Sequence, residues 1–314
     1  MTTSVRFVVP AGIRDSSRPS GGNVYDLELH QVFPELGWTS HLLPVDGAWP
    51  RPSDADRRSL ARTLDNLPDD SVVLLDGLVA CGVPEVMETA ANRLRLVILV
   101  HLPLADETGL DPAVARELDA AERRSLQCAY AVVTTSAHTA AKIAAHHGLS
   151  ALKVHAAVPG AHEEPEAALG YGGDLLCVAS LTPRKGHPTL IKALSSLTDL
   201  PWHLRLVGSL EQDPAHVIRL RSLIDEAGLA SRVLLVGACV GAELDAAYRT
   251  ADLLVLPSHE ETYGMVITEA LSRAVPVYAS HVGGVPEALG LVAGDPPALR
   301  ERPGRLLPPG DSDV

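Results

Sequence analysis

Short apolar runs and longer amphipathic stretches alternate along the whole chain. Apolar runs of about four to eight residues that end in Pro, Ser or a polar residue are typical of parallel strands covered on both faces. The stretches between them have helical spacing, so the pattern predicts an α/β fold with doubly wound, Rossmann-like parallel sheets. The predicted strands are 5–10, 38–43, 72–75, 94–101, 131–136, 175–180, 203–207, 233–236 and 252–257, and the predicted helices include 55–67, 112–127 and 139–147.

One segment divides this pattern into two halves. Residues 159–173 are rich in Pro, Gly and acidic residues, which is typical of a linker. A chain of 314 residues is long enough for two domains with separate cores. We therefore expect an N-terminal domain over 1–158 and a C-terminal domain over 174–314.

The predicted strand 252–257 leads directly into a polar loop and a helix over 263–273. Thr262 is the expected N-cap, and Gly264 lets the backbone approach a ligand at the start of the helix. The free amides of a helix start attract phosphate. Glu261 lies in the loop, and Glu269 lies about 9 Å along the helix from Tyr263. The two acids are either ordinary surface acids or ligand-binding groups at a diphosphate and at a sugar hydroxyl.

Three further places carry candidate chemistry. Gly21 and Gly22 open a helix after the first strand, where amides can contact an anion. His101 ends a predicted strand, which is where doubly wound sheets bind ligands. Arg184 and Lys185 lie at a strand-to-helix turn. The structural alternatives are a plain turn, a histidine bonded to backbone and a solvated pair of cations.

The longest motif resembles a known signature. Residues 257–287 contain Pro-Ser-x-x-Glu-x-Tyr-Gly-x-x-x-x-Glu-Ala-Leu, then Pro-Val, then Gly-Gly-x-x-Glu. This order is similar to that of the retaining family 4 glycosyltransferases. The resemblance implies a GT-B fold, in which two Rossmann-like domains face each other across a cleft. It also implies transfer of a sugar from a nucleoside diphosphate to an acceptor hydroxyl with retained configuration, the donor on the C-terminal domain and the acceptor on the N-terminal one.

The resemblance also implies roles for the candidate residues. Lys185 and Arg184 would neutralise the leaving diphosphate, and Glu261 would contact the donor sugar. His101 would approach that sugar from the other domain, and Glu269 would bind the ribose hydroxyls. The remaining donor-binding candidates are backbone groups around the diphosphate: Gly21, Gly22, Tyr263, Gly264, Met265 and Val266.

Three sites in the sequence and its C-terminal end depart from the family pattern. Pro159-Gly160 replaces the usual Asn-Gly, and Ser180 occupies the usual Arg position, so that Arg184 would substitute for that cation. Ala274 replaces a glycine, and we expect this change to have no effect. Family members continue with terminal helices beyond the point where this sequence ends, so we expect donor binding to persist and domain closure to be impaired unless a partner chain or homo-oligomer compensates.

Composition limits which binding partners, cellular locations and metal ions we expect for this chain. A net charge of −13 disfavours nucleic acid, since there is no basic surplus. Four scattered cysteines, no signal-peptide pattern and no long apolar run predict a cytoplasmic protein with reduced thiols and no transmembrane segment. Asp54 and Asp56 form an Asp-x-Asp pair in a surface-like helix, and Asp311 and Asp313 form another in the tail. Neither is placed to hold a metal, so we predict metal independence and no cofactor besides the sugar nucleotide.

Three other readings stay open. They are a sugar-nucleotide epimerase of the same fold, a non-catalytic sugar-nucleotide-binding subunit and a periplasmic sugar-binding protein. The glutamate signature favours transfer over epimerisation, and the absence of an export signal disfavours the last. The sequence does not define the donor base, the donor sugar or the acceptor.

Overall fold

The structure is a computed structural model, and it describes residues 3–15, 19–168, 170, 172–290 and 304–310. The chain divides into two compact units, with the main boundary between Val158 and Pro159. The Asp311–Asp313 pair lies outside the described residues, as do residues 169 and 171 of the predicted linker.

The N-terminal unit contains a parallel sheet of six strands in the order β2-β1-β3-β4-β5-β6. Its strands are β1 Thr3–Pro10, β2 Trp38–Val45, β3 Val72–Asp76, β4 Arg95–Val100, β5 Ala131–Thr134 and β6 Val154–Ala156. Its α-helices are α1 Gly21–Val32, α2 Asp54–Asp65, α3 Gly77–Ala80, α4 Pro84–Ala90, α5 Pro112–Cys128 and α6 Ala137–His147. The central strands are apolar because helices cover both faces.

The C-terminal unit contains a second parallel sheet of six strands, in the order β12-β11-β10-β7-β8-β9. Its strands are β7 Asp174–Val178, β8 His203–Val207, β9 Val233–Gly237, β10 Leu253–Leu256, β11 Val277–Ser280 and β12 Gly304–Leu307. Its α-helices are α7 His187–Ser195, α8 Pro214–Glu226, α9 Ala242–Arg249, α10 Met265–Leu271 and α11 Val285–Ala288. The predicted fold class, α/β with two doubly wound parallel sheets, is confirmed.

Strand order places a topological switch point in each sheet. In the N-terminal unit the chain reverses direction across the sheet between β1 and β3, and in the C-terminal unit between β7 and β10. Ligands of doubly wound sheets bind outside the carboxyl ends of the strands at such a point. The strand order alone therefore indicates the loops after β3, β7 and β10 as ligand-binding loops.

One predicted strand boundary needs correction. Asp252 was expected to begin a strand, but β10 begins at Leu253. The carboxylate of Asp252 instead accepts hydrogen bonds from the backbone amides of Gly170, Gly172, Gly173 and Asp174 at 2.5–3.0 Å. These bonds fasten the end of the predicted linker to the C-terminal unit.

Among the described residues, no helix is both long enough and apolar enough to cross a membrane.

Candidate active site

The switch point of the C-terminal unit holds an ion pair between two of the predicted residues. Lys185 Nζ lies 2.5 Å from Glu261 Oε1, and the hydroxyl of Ser258 donates to the same oxygen at 2.8 Å. The side chains of Lys185 and Glu261 are only 13% and 8% exposed. The loops after β7 and β10 therefore meet where the sequence motif and the strand order both indicate a ligand.

Two glycines allow this close approach of the loops. A Cβ atom at Gly186 would overlap the carbonyl oxygen of Pro257, and one at Gly283 would overlap the carbonyl oxygen of Glu261. Both glycines also have positive φ, +70° and +52°. The amide of Gly284 donates to the carbonyl of Glu261 at 3.1 Å. The glycines of the Lys-Gly and Gly-Gly motifs thus fix the backbone that carries Glu261.

The electrostatics of this cluster favour its charged form. Burial alone would raise the pKa of Glu261, but the positive charges of Lys185 and Arg184 outweigh burial, so the pKa is lowered. Arg184 donates from Nη1 to the carbonyl of Glu260 at 3.1 Å, and its buried Nε has no hydrogen-bond partner among the described residues. Both cations therefore lie in one electrostatic cluster with Glu261.

The start of α10 differs from its prediction. The helix begins at Met265 with Gly264 as the N-cap, at φ +96°, and no side chain caps it. Thr262 is thus not the N-cap, because the chain turns through the left-handed conformation that Gly264 permits. Tyr263 is only 6% exposed and packs in the core. Its side chain is therefore turned away from solvent, and its role as a backbone donor-binding group stays a prediction.

Glu269 lies further along α10, where a tyrosine orients it. Tyr248, a buried residue of α9, donates its hydroxyl proton to Glu269 Oε2 at 2.6 Å. Arg273 lies over the Tyr248 ring at 5.0 Å and donates to the backbone carbonyl of Glu269 at 3.0 Å. Burial raises the pKa of Glu269, although Tyr248 and Arg273 oppose that shift. Nothing in the sequence pattern indicated Tyr248, because it looks like one more apolar position of an amphipathic helix.

His101 lies at the carboxyl end of β4 in the N-terminal unit, next to the last residue of β3. Its Nε2 is 2.8 Å from Oδ1 of Asp26, a fully buried residue of α1. A methyl group at Gly22 would lie 3.0 Å from His101 Cδ2. The structure thus brings two predicted residues, Gly22 and His101, into contact, and it gives Gly22 a packing reason. No sequence pattern indicated Asp26 or the neighbouring Asp76.

The protonation of this cluster depends on its buried acids. Burial raises the pKa of Asp76 to about 6, with His101 lowering it and Asp26 raising it further. Burial lowers the pKa of His101, but the hydrogen bond and charge of Asp26 and the charge of Asp76 outweigh it, so the net pKa is raised. The histidine thus carries more positive charge near neutral pH than a free imidazole.

Two groups of side chains in the described part of the chain have the spacing of a metal site. Within each group the ligand atoms lie within 4.8 Å of one another. One group consists of Asp26, Asp76 and His101, and the other of Asp119, His146 and His147. Hydrogen bonds already join Asp26 to His101 and Asp119 to His146. Metal independence stays a prediction.

Solved structures share this architecture. Sucrose-phosphate synthase from Thermosynechococcus elongatus superimposes with a TM-score of 0.76 at 19% identity, over 99% of this chain and 87% of that one. The Anabaena protein HepE in complex with UDP-glucose superimposes with a TM-score of 0.73 at 18% identity, over 99% and 86%. The two parallel sheets with charged groups at their switch points define a protein of the GT-B glycosyltransferase fold.

Sequence comparisons find similar glycosyltransferases. Residues 170–292 match the family described as Glycosyl transferases group 1. D-inositol 3-phosphate glycosyltransferase 1 of Catenulispora acidiphila is 28% identical, over 87% of this chain and 78% of its own length. The enzyme of that name from Salinispora tropica is 34% identical over 42% of this chain. Over residues 170–292 the chain is similar to the group 1 glycosyltransferases, and the predicted enzyme class agrees with the names of these relatives.

The extent of these matches differs between relatives. The D-inositol 3-phosphate glycosyltransferase of Pseudarthrobacter chlorophenolicus is matched over 51% of its length, and that of Salinispora tropica over 30%. The chain thus spans about half the length or less of these two relatives.

Proposed function

We propose that this glycosyltransferase moves a sugar from a nucleoside diphosphate sugar to an acceptor hydroxyl and retains the anomeric configuration. The observation that supports this most is the nearly buried Lys185–Glu261 pair at the switch point of the C-terminal unit. A fixed, partly desolvated cation at such a position suits a leaving group that gains negative charge.

Lys185 is prepared for this task by its partner. An ammonium group has three donors, and Glu261 accepts from one of them. Two donors remain for diphosphate oxygens while the carboxylate holds the side chain in place. Arg184 adds a second positive charge to the same cluster. Preorganised charge of this kind stabilises the transition state because it needs no rearrangement during the reaction.

Glu269 is the proposed partner of the ribose. Its Oε2 accepts a hydrogen bond from the Tyr248 hydroxyl, which leaves Oε1 for a ribose hydroxyl. Glu261 is the proposed contact of the donor sugar, since the positive charges around it keep it ionised. The leaving diphosphate would take the acceptor proton on the same face of the sugar, without a metal and without a covalent enzyme intermediate. A cytoplasmic location belongs to this proposal and is in keeping with the four free cysteines.

The names of similar proteins give the first ligands to try. HepE was solved with UDP-glucose, and several relatives are named D-inositol 3-phosphate glycosyltransferases. UDP-sugars and an inositol phosphate are therefore the donors and acceptor to test first. The epimerase and non-catalytic alternatives predict different outcomes with the same compounds.

A thermal-shift panel of sugar nucleotides tests donor binding. A ligand at 100 times its dissociation constant stabilises the protein by about 2.7 kcal/mol. The preferred donor is then incubated with acceptors in EDTA, and proton NMR follows the anomeric signal of the product. We expect binding and a retained product. Conversion of the donor sugar without an acceptor would indicate an epimerase, donor binding without turnover would indicate a binding subunit, and an inverted product would overturn the mechanism.

A further inference from the structure

The ring of His101 is held on three sides by α1. Gly22 faces the Cδ2 edge, since a methyl group there would lie 3.0 Å from Cδ2. Tyr25 packs edge-on, with the ring centroids 5.4 Å apart at 73°. Asp26 Oδ1 lies 2.8 Å from Nε2. These contacts allow the ring one orientation.

The remaining ring nitrogen, Nδ1, is the one left for a ligand. No hydrogen bond to Nδ1 is formed within the part of the chain that the structure describes, and the side chain is 18% exposed. Because Nδ1 and Cδ2 lie on opposite sides of the ring, the nitrogen points away from Gly22. The free donor or acceptor of His101 is thus defined by its three neighbours.

Asp26 is an unusual partner for a structural histidine. It is fully buried, and its second oxygen, Oδ2, has no hydrogen-bond partner among the described residues. A buried carboxylate next to a second acid, here Asp76, is unfavourable unless a cation compensates its charge. Tyr25 fixes this part of α1 independently, because its hydroxyl donates to the carbonyl of Ala157 at 2.9 Å. Helix packing therefore does not require the Asp26–His101 bond.

We propose that Asp26 is a positioning residue for transfer: it accepts a hydrogen bond from Nε2–H of His101 and so directs Nδ1 to a ligand at the carboxyl end of β4. The inference rests on the proposed function in one respect, that the ligand at Nδ1 takes part in the transfer reaction. A carboxylate behind a histidine fixes its tautomer and stabilises the imidazolium, which donates from both nitrogens. Asp26 of α1 and Asp76 at the end of β3 are the charged groups that face the ring.

The test compares Asp26→Asn with Asp119→Asn. Asp119 also binds the Nε2 of a histidine, His146, in the same unit but outside the site. We expect Asp26→Asn to lower kcat by about 10- to 100-fold, the effect of losing a hydrogen bond to a charged group. The donor dissociation constant should stay unchanged, and the pH limb of kcat that His101→Gln abolishes should shift to lower pH. Asp119→Asn should change neither quantity.

Nitrogen NMR makes the test independent of transferase activity. Long-range ¹H–¹⁵N spectra of histidine-labelled protein, with His101→Gln to assign the signal, show which nitrogen carries the proton. We expect Nε2–H in the wild type at high pH and a mixture of tautomers in Asp26→Asn. A wild-type His101 protonated mainly on Nδ1, or an unmoved pH limb in a folded variant, would overturn the proposal. The NMR result stands even if no sugar is transferred.

Discussion

Each unit holds an ionisable side chain against a carboxylate that is distant in sequence, but with different charge chemistry. Lys185 and Glu261 are 76 residues apart, and Asp26 and His101 are 75 residues apart. In the C-terminal unit a lysine keeps the pKa of Glu261 low, so the pair is charged at neutral pH. In the N-terminal unit the cation is a histidine and the nearby Asp76 has its pKa raised to about 6, so the charge depends on pH.

This difference suggests a division of tasks. A permanent cation would suit the proposed leaving diphosphate, whose charge must be balanced at every working pH. A histidine oriented by a carboxylate would suit a sugar ligand, where direction and proton position matter more than net charge. The predictions below separate these two roles.

Lys185→Ala should have the largest effect. We expect turnover to fall by about 10²–10³, the scale for removal of one preorganised charge donor. Lys192→Ala, an exposed lysine on the following helix, should stay near wild type. Steady-state kinetics of both variants with the preferred donor check this. A loss below about fivefold in folded Lys185→Ala would assign the charge stabilisation to another group.

Gly283→Ala should disrupt the loop that carries Glu261. The new Cβ would overlap the Glu261 carbonyl, and alanine at positive φ adds about 1 kcal/mol of strain. Together with overpacking we expect about 2–4 kcal/mol of destabilisation. Gly148→Ala is the matched control, because φ is +66° there and nothing lies within 4 Å of the added carbon. Equal urea midpoints for the two variants would contradict the close approach.

Glu269→Gln should weaken donor binding by about 1.5–3 kcal/mol, the loss of a hydrogen bond to a charged group. Tyr248→Phe, which removes only the orienting hydroxyl, should weaken it less. Calorimetry with the preferred sugar nucleotide measures both. Unchanged affinity in Glu269→Gln would remove the proposed ribose contact.

The contributions of Asp76 and Glu261 to stability should respond to pH with opposite sign. Because the pKa of Asp76 is raised, the contribution of this residue to the free energy of unfolding is complete below about pH 4. That contribution is lost as pH rises through about 6. The lowered pKa of Glu261 means that its contribution is present above about pH 4.5 and is lost as pH falls. Urea unfolding across this range measures the free energy of unfolding. Asp76→Asn should lack the part of the loss at rising pH that comes from Asp76, and Glu261→Gln should lack the part at falling pH that comes from Glu261. Parallel curves for wild type and both variants would contradict this.

Ala274→Gly should have the smallest effect, a stabilisation of about 1 kcal/mol. The replacement of a family glycine by Ala274 was expected to have no effect, but this residue has φ +58°, where alanine is strained. Ala274 is exposed, so little packing is lost on removal of its methyl group. Thermal unfolding measures the difference. A lower melting temperature for the glycine variant would show that backbone entropy dominates.

Much of this protein was readable from local patterns. Apolar runs predicted the parallel strands because a strand buried on both faces needs several consecutive apolar residues. The short strands β6, β11 and β12 are absent from the predicted strands, since three or four residues give too little signal. The motif around Glu261 indicated its loop, and Gly283 was visible as part of that motif.

The sequence by itself determined the α/β class, the two-part organisation and the positions of His101, Lys185, Glu261 and Glu269. Only the tertiary structure decided their partners. Strand order brings α1 beside β4 and α9 beside α10, and no local pattern records which buried polar residue meets which. Asp26 and Tyr248 were therefore invisible as functional groups. Backbone conformation decided the rest, because the turn at Gly264 directs the Tyr263 ring into the core.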